Sequence, residues 1–145
     1  MYMLYARIDL SKTDYKIMQG GWEYLVDPDT RRLDDLYLIY CKHKQFPSFM
    51  PIFESEYHDI ANDVIGYLDS NNDLIAFSLI RRYNSREAEC IQFAWNYSNP
   101  KLRLGIVSLK HECALYKSRG FQYLYLGEAD DYKSEIQGFE IMGPA

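Results

Sequence analysis

The chain of 145 residues carries 16 Lys and Arg against 21 Asp and Glu, a net charge of −5, and is 48% hydrophobic and 26% charged. That length has room for one core, so residues 1–145 are expected to form a single domain, and the acidic balance opposes delocalised binding to nucleic acid or an anionic membrane. Cys41, Cys90 and Cys113 lie far apart with no CxxC or CxxH spacing, which argues against a disulfide framework or zinc site and for a reducing, cytoplasmic setting.

Tyr2, Leu4, Ala6, Ile8 and Leu10 alternate with Met3, Tyr5, Arg7 and Asp9, the period of a strand with one buried face and not of a secretory signal core. Gly20-Gly21 and Asp27-Pro28-Asp29 break the chain, and Trp22 to Val26 between them is too short to classify. After Asp29 or Thr30 as cap, Leu33, Leu36, Tyr37, Tyr40 and Cys41 recur at helical spacing, and that helix must stop before Pro47. A shorter helix is expected from about Phe53 to Ala61. From Asp63 the period becomes two: Val64 to Leu68, Leu74 to Tyr83 and Ala88 to Tyr97 read as three strands joined by short polar turns, hence an antiparallel meander. Ser98-Asn99-Pro100 then opens a helix of roughly 18 residues, capped by Ser98 or Asn99. Its apolar stripe is Leu102, Ile106, Leu109, Cys113 and Tyr116, its basic face Arg103, Lys110 and Lys117, and Gly120 ends it. Phe121 to Gly127 is an apolar strand, parallel to the one before the helix. Glu128 to Gln137 reads as a short helix and Phe139 to Met142 as a last strand. The fold class is thus α/β (α+β): a mixed, mainly antiparallel sheet flanked by helices, parallel at its end. No apolar run reaches the roughly 18 residues needed to span a bilayer, and no membrane partner is expected.

This element order is similar to that of the Gcn5-related N-acyltransferase (GNAT) superfamily. The stretch from Trp95 to Gly127, WNYSNPKLRLGIVSLKHECALYKSRGFQYLYLG, lies where members carry an R/Q-x-x-G-x-G/A loop, a helix and an apolar strand. Only Gly105 keeps a glycine there; Leu102 and Val107 replace the polar and small residues. The blocks Asn99-Pro100, Leu104-Gly105, Ser108, Tyr123 to Gly127, Tyr132-Lys133 and Phe139 resemble the aminoacyl-tRNA–protein transferases, arginyltransferases in particular, over roughly residues 62–145. The cysteine-rich N-terminal part of those enzymes has no counterpart in Cys41 and Cys90. The resemblance implies an N-acyltransferase that moves an acyl group, acetyl in the first instance, from acetyl-CoA or another acyl-CoA onto an amine. The amine belongs to a small molecule or a protein N-terminus. An aminoacyl-tRNA donor, with tRNA as partner, is the alternative, and a non-catalytic binding module on a degenerate fold is a further one. The donor is then expected along Trp95, Asn96, Tyr97, Lys101, Arg103, Leu104, Gly105 and Ser108.

Acyl transfer to an amine needs a base, an oxyanion donor and an acid for the leaving group. Candidate bases are Glu87, Glu89, Asp130, Asp131 and above all Glu128, at strand ends; Tyr132 is the candidate acid, a role the resemblance suggests. Lys101 and Arg103 are cations in a helix's first turn, which suits a bound anion and also suits a solvated structural turn. Arg81, Arg82 and Arg86 form a second basic group that is either a ligand patch or a charged strand edge. His111 reads as a packed residue, and His43 and His58 have no partner at metal spacing, so no metal is expected. Trp95 and Phe93 share a strand face and also fit plain core positions.

Overall fold

The computed structural model describes residues 4–45, 54–128 and 131–144. Strands β1 (Leu4–Asp9), β2 (Trp22–Tyr24), β3 (Asn62–Leu68), β4 (Leu74–Arg82), β5 (Glu87–Trp95), β6 (Tyr123–Glu128) and β7 (Phe139–Pro144) form one sheet in the order β2-β3-β4-β5-β6-β1-β7. Every neighbouring pair is antiparallel except β5 and β6. The parallel pair therefore lies inside the sheet and not at its end, because β1 docks on the far side of β6 and brings β7 with it. The unclassified segment after Gly21 is an edge strand, held to Ile65, Gly66 and Tyr67.

Helix α1 (Thr30–Lys44) is capped by Asp29, whose carboxylate accepts the Arg31 N–H at 3.1 Å, and closes at Gln45 with three basic residues in its last turn. It buries Leu33, Leu36 and Cys41. Helix α2 (Glu54–His58) is a single turn, shorter than the Phe53–Ala61 expectation, because Asn62 already pairs with Arg81 in the sheet. These two helices cover one face, over Val64, Phe77, Leu79 and Ala94.

Helix α3 (Leu104–Ser118) covers the other face, and here the sequence reading needs correction. Asn99 caps a separate 3-10 turn, Pro100–Leu102, accepting the Lys101 N–H at 3.2 Å. Arg103 then turns left-handed at φ +50° and the helix proper begins only at Leu104. Pro100 thus opens the short turn and not the long helix, Lys101 lies outside α3, and Leu102 leaves the apolar stripe with 40% exposure. The face between the two stripes is buried too, through Ser108, His111 and Glu112. The segment after β1 wraps it: the Met18 N–H donates to His111 Nδ1 at 2.9 Å, Trp22 Nε1 to the Met18 carbonyl at 2.8 Å, and Lys117 Nζ to the Thr13 carbonyl. After β6, residues Asp131–Glu135 form a 3-10 turn in place of a helix.

Gly138 joins the two ends of the chain. Its φ is +75°, its carbonyl accepts the Asp9 N–H at 2.9 Å, and a Cβ built there would stand 2.3 Å from the Asp9 carbonyl oxygen. Gly138→Ala combines a left-handed backbone with a clash against main chain, so it is expected to cost roughly 3 kcal/mol. Urea denaturation of the variant measures this, and an unchanged midpoint would show that β7 does not depend on this contact.

Candidate functional site

Strands β5 and β6 pair only at their beginnings, Glu87–Glu89 against Tyr123–Tyr125. Beyond that both strands carry a bulge. In β5, Gln92 opposes Leu79 and Cys90 opposes Ile80, which leaves Ile91 as an extra residue. In β6, Gly127 opposes Ala6 and Tyr125 opposes Arg7, which leaves Leu126 extra. A bulge bends its strand and ends regular pairing. With β5 held by β4 and β6 held by β1, the sheet opens between them.

The opening is filled by a cavity of about 230 Å³ whose walls come from both faces of the sheet. Tyr37 and Tyr40 of α1 and Gln92 border it on one face; Ser78, Cys90, Gly105, Ser108, Leu109 and Glu112 border it on the α3 side, with Leu126 and Lys133 closing the β6 side. An outer chamber of about 320 Å³ shares Tyr40, Phe93 and Gly105 with it and adds Lys44, Trp95, Tyr97, Pro100, Arg103 and Ile106. The beginning of α3 faces this chamber, and no side chain among the described residues caps it. Uncapped N–H groups, the helix dipole, Lys44 and Arg103 together make the chamber suited to an anion. Tyr97 holds φ +56° beside it, its ring tilted against Trp95 (centroids 4.3 Å apart) and stacked on His43 (3.7 Å).

The floor of the inner cavity is polar. Glu112, 3% exposed, accepts hydrogen bonds from the hydroxyls of Tyr67 and of Ser78 (2.7 Å) on the same carboxylate oxygen, and Cys90 Sγ lies 3.9 Å from the other. Burial raises the Glu112 pKa to about 7, against the two hydroxyl donors, which lower it. Burial together with this carboxylate pushes the Tyr67 hydroxyl and the Cys90 thiol well above their ordinary values, so both stay protonated near neutrality. The site thus holds a carboxylate that takes up or releases a proton near neutral pH, within reach of the cavity.

Of the residues expected to hold a donor, Trp95, Tyr97, Arg103, Gly105 and Ser108 border the two chambers. Asn96 does not: its side chain accepts the Ser98 N–H at 2.9 Å and shapes the turn. Lys101 is exposed on the 3-10 turn, and Leu104 is buried in the core. The backbones of Glu128 and Tyr132 lie at the end of β6 and in the following 3-10 turn, next to the cavity residue Lys133, while their side chains and all of Asp130 are outside the described residues. Glu87 and Glu89 border a separate hollow with Tyr5, Tyr83 and Tyr125. The Tyr125 hydroxyl donates to Glu87 at 2.6 Å and holds its carboxyl below the usual range, which weakens it as a base.

The arginine group is engaged structurally: Arg81 pairs with Glu56 (2.5 Å), Arg82 with Asp63 (3.4 Å), and Arg86 donates to Gln122. His111 is 1% exposed and desolvation lowers its pKa to about 4, so it is a neutral core residue. His58 Nδ1 sits 3.0 Å from Asp27. Among the described residues no three His, Cys, Asp or Glu side chains gather as a metal ion requires, and no helix is long and apolar enough to cross a membrane. The sequence reading passed over Glu112, Ser78 and Gln92. Glu112 had a signal: it stands seven residues after Gly105 and four after Ser108, on one helix face with them.

No family model matches the chain, and no curated protein matches it in sequence. Solved structures do match in fold. A GNAT-family protein of Novosphingobium aromaticivorans, assigned as an acetyltransferase, superposes with a TM-score of 0.65 at 16% identity over 97% of this chain and 60% of its own. Saccharomyces cerevisiae N-myristoyltransferase with bound myristoyl-CoA gives 0.63 at 13% identity over 91% of this chain and 39% of its own. The C-terminal domain of an Agrobacterium fabrum protein assigned as a lysylphosphatidylglycerol synthetase gives 0.57 at 16% identity over 88% and 47%. The chain spans less than half the length of the last two. The fold is that of the GNAT superfamily, and the arginyltransferase branch is not singled out.

A carboxyl raised by folding stabilises the protein in its protonated form; that contribution is complete below the unfolded value near 4.5 and is lost as pH rises through about 7. Wild type is therefore expected to lose roughly 3 kcal/mol relative to Glu112→Gln between pH 4.5 and pH 8. Melting curves of both proteins across that range check this, and parallel curves would place the Glu112 carboxyl in contact with water.

Proposed function

We propose that this protein transfers an acyl group from an acyl-CoA, acetyl-CoA in the first instance, to an amine held at the cleft between β5 and β6. The observation that carries this reading is the two-chamber cleft itself, which runs from the uncapped start of α3 to a buried carboxylate. In it, the donor's phosphates lie at the outer chamber against the α3 N–H groups, Lys44 and Arg103, and its thioester reaches through the opened sheet into the inner cavity. Gly105 lies on both chamber walls, and a Cβ built there meets nothing within 4 Å, so its wall is free to seat a ligand.

Chemically, the amine nitrogen attacks the carbonyl carbon while Glu112 accepts the proton the nitrogen must lose. The C–N bond forms, the C–S bond breaks, and the thiolate leaves with a proton from an acid, for which Tyr132 beside the cavity residue Lys133 is the candidate. Glu112 replaces Glu128 as the preferred base because its surroundings tune it toward neutrality. A cytoplasmic location fits a CoA donor.

A second reading keeps the site and changes the donor to aminoacyl-tRNA. The floor made by Ser78, Cys90 and Glu112 favours it, since an ammonium on the acyl group would meet a carboxylate there. The fold neighbour assigned as a lysylphosphatidylglycerol synthetase is in keeping with it.

The test is a thermal-shift titration with acetyl-CoA on wild type and on Gly105→Glu. Acetyl-CoA is expected to raise the wild-type melting temperature. Gly105→Glu should fold normally, its carboxylate favouring the helix dipole, and should weaken the donor at least tenfold by repelling its phosphates. Retention of charged tRNA without any response to acetyl-CoA would select the second reading.

A further inference from the structure

Gln92 is a glutamine in a place where glutamine is costly. It lies on β5 immediately after the bulge residue Ile91, is 8% exposed, and borders the inner cavity. Its Oε1 accepts the hydroxyl of Tyr57 on α2 at 3.1 Å; Tyr57 is itself 4% exposed, and burial keeps that hydroxyl protonated. The same hydroxyl stands 3.5 Å from Asp34 Oδ1, and with the amide in this orientation Nε2 is left with no partner among the described residues. An unpaired buried N–H donor destabilises a fold, so its presence on a cavity wall calls for an explanation.

We propose that the Gln92 side-chain amide is the carbonyl-binding donor of the cleft, a catalytic residue whose Nε2–H holds the acyl oxygen as negative charge develops on it. The placement agrees with what attack on a carbonyl requires. Gln92 pairs with Leu79 on the α1 side of the sheet, whereas Glu112 is bonded to Ser78 on the α3 side, and both border the same cavity. A carbonyl lodged in the opening has a proton acceptor on one side and an N–H donor on the other. As the amine nitrogen adds to the carbonyl carbon, the C=O π pair moves onto the oxygen facing Gln92. It returns when the C–S bond breaks, so Gln92 stabilises the intermediate without gaining or losing a proton. The bulge supplies the geometry: the extra residue at 91 sets Gln92 beyond the last β5–β6 pair, where the strand faces the opening.

This inference rests on the acyl-transfer reading, and the experiment separates the two. The full chain is bound to [1-¹³C]acetyl-CoA and its carbonyl stretch is recorded by difference infrared spectroscopy in wild type, Gln92→Met and Gln92→Glu, with donor affinity and turnover measured on the same samples. Gln92→Met keeps length and loses the donor; Gln92→Glu keeps an acceptor for Tyr57 and guards against a Met variant that folds poorly. The wild-type carbonyl is expected to shift to lower frequency on binding and the variants to lose that shift. Their affinity for acetyl-CoA should stay within a few-fold while turnover falls by roughly 10² to 10³. Wild-type carbonyl frequency and turnover in both variants would overturn the role of Gln92 and leave the acyl-transfer reading standing. A wild type that does not bind acetyl-CoA at all would overturn both.

Discussion

The separation of β5 from β6 is the constraint on which the rest of the molecule depends. Three residue pairs join the β2-β3-β4-β5 half of the sheet to the β6-β1-β7 half, too short a ladder to hold two halves that otherwise diverge. The connection is completed by α3, which leaves β5 by way of the 3-10 turn and returns to β6 through Phe121, whose N–H is bonded to the Tyr116 carbonyl at 3.0 Å. A helix asked to bridge two sheet halves is buried on most of its circumference, and α3 buries nine of its fifteen residues. Polar residues on such a helix cannot all reach water. That is how a glutamate came to lie in the core.

A buried carboxylate is a liability unless its surroundings answer it. Here two hydroxyls point at one of its oxygens and a thiol stands near the other. Hydrophobic replacement of such buried groups is often neutral or stabilising, so the core has no need of this carboxylate for its own stability. The unpaired amide of Gln92 belongs to the same economy, on the opposite face of the same opening. Both polar groups border the opening where strand pairing has been given up, Glu112 with its donors in place and Gln92 with its Nε2 unpaired among the described residues.

How much of this was legible depends on range. The meander β3-β4-β5, the first strand and α1 could be read because alternation, helical spacing and turn residues act over a few positions: Val64, Leu79 and Ala94 bury themselves by strand period, and Asp29 caps by its own side chain. The parallel relation of β5 and β6 followed from the length of the connection alone. The start of α3 was misplaced because Asn99-Pro100 is a correct local signal for a turn that Arg103 then interrupts, and no residue type announces a left-handed arginine. The wrapping of α3 by residues 13–22 was hidden because it joins positions about a hundred apart.

By itself the sequence determined most of the secondary structure and the class of fold, because these follow from periodicity and capping within a window of residues, while the stretch from Trp95 to Ser108 was marked out by its resemblance to a known family. Only the tertiary structure decided that β1 would lie between β6 and β7, that paired bulges at Ile91 and Leu126 would open the sheet, and that Glu112 and Gln92 would face one cavity from its two sides. A glutamate and a glutamine look like surface residues in any list of types. Their burial, the donors that answer one and the partner missing from the other arise from which distant strands and helices close around them.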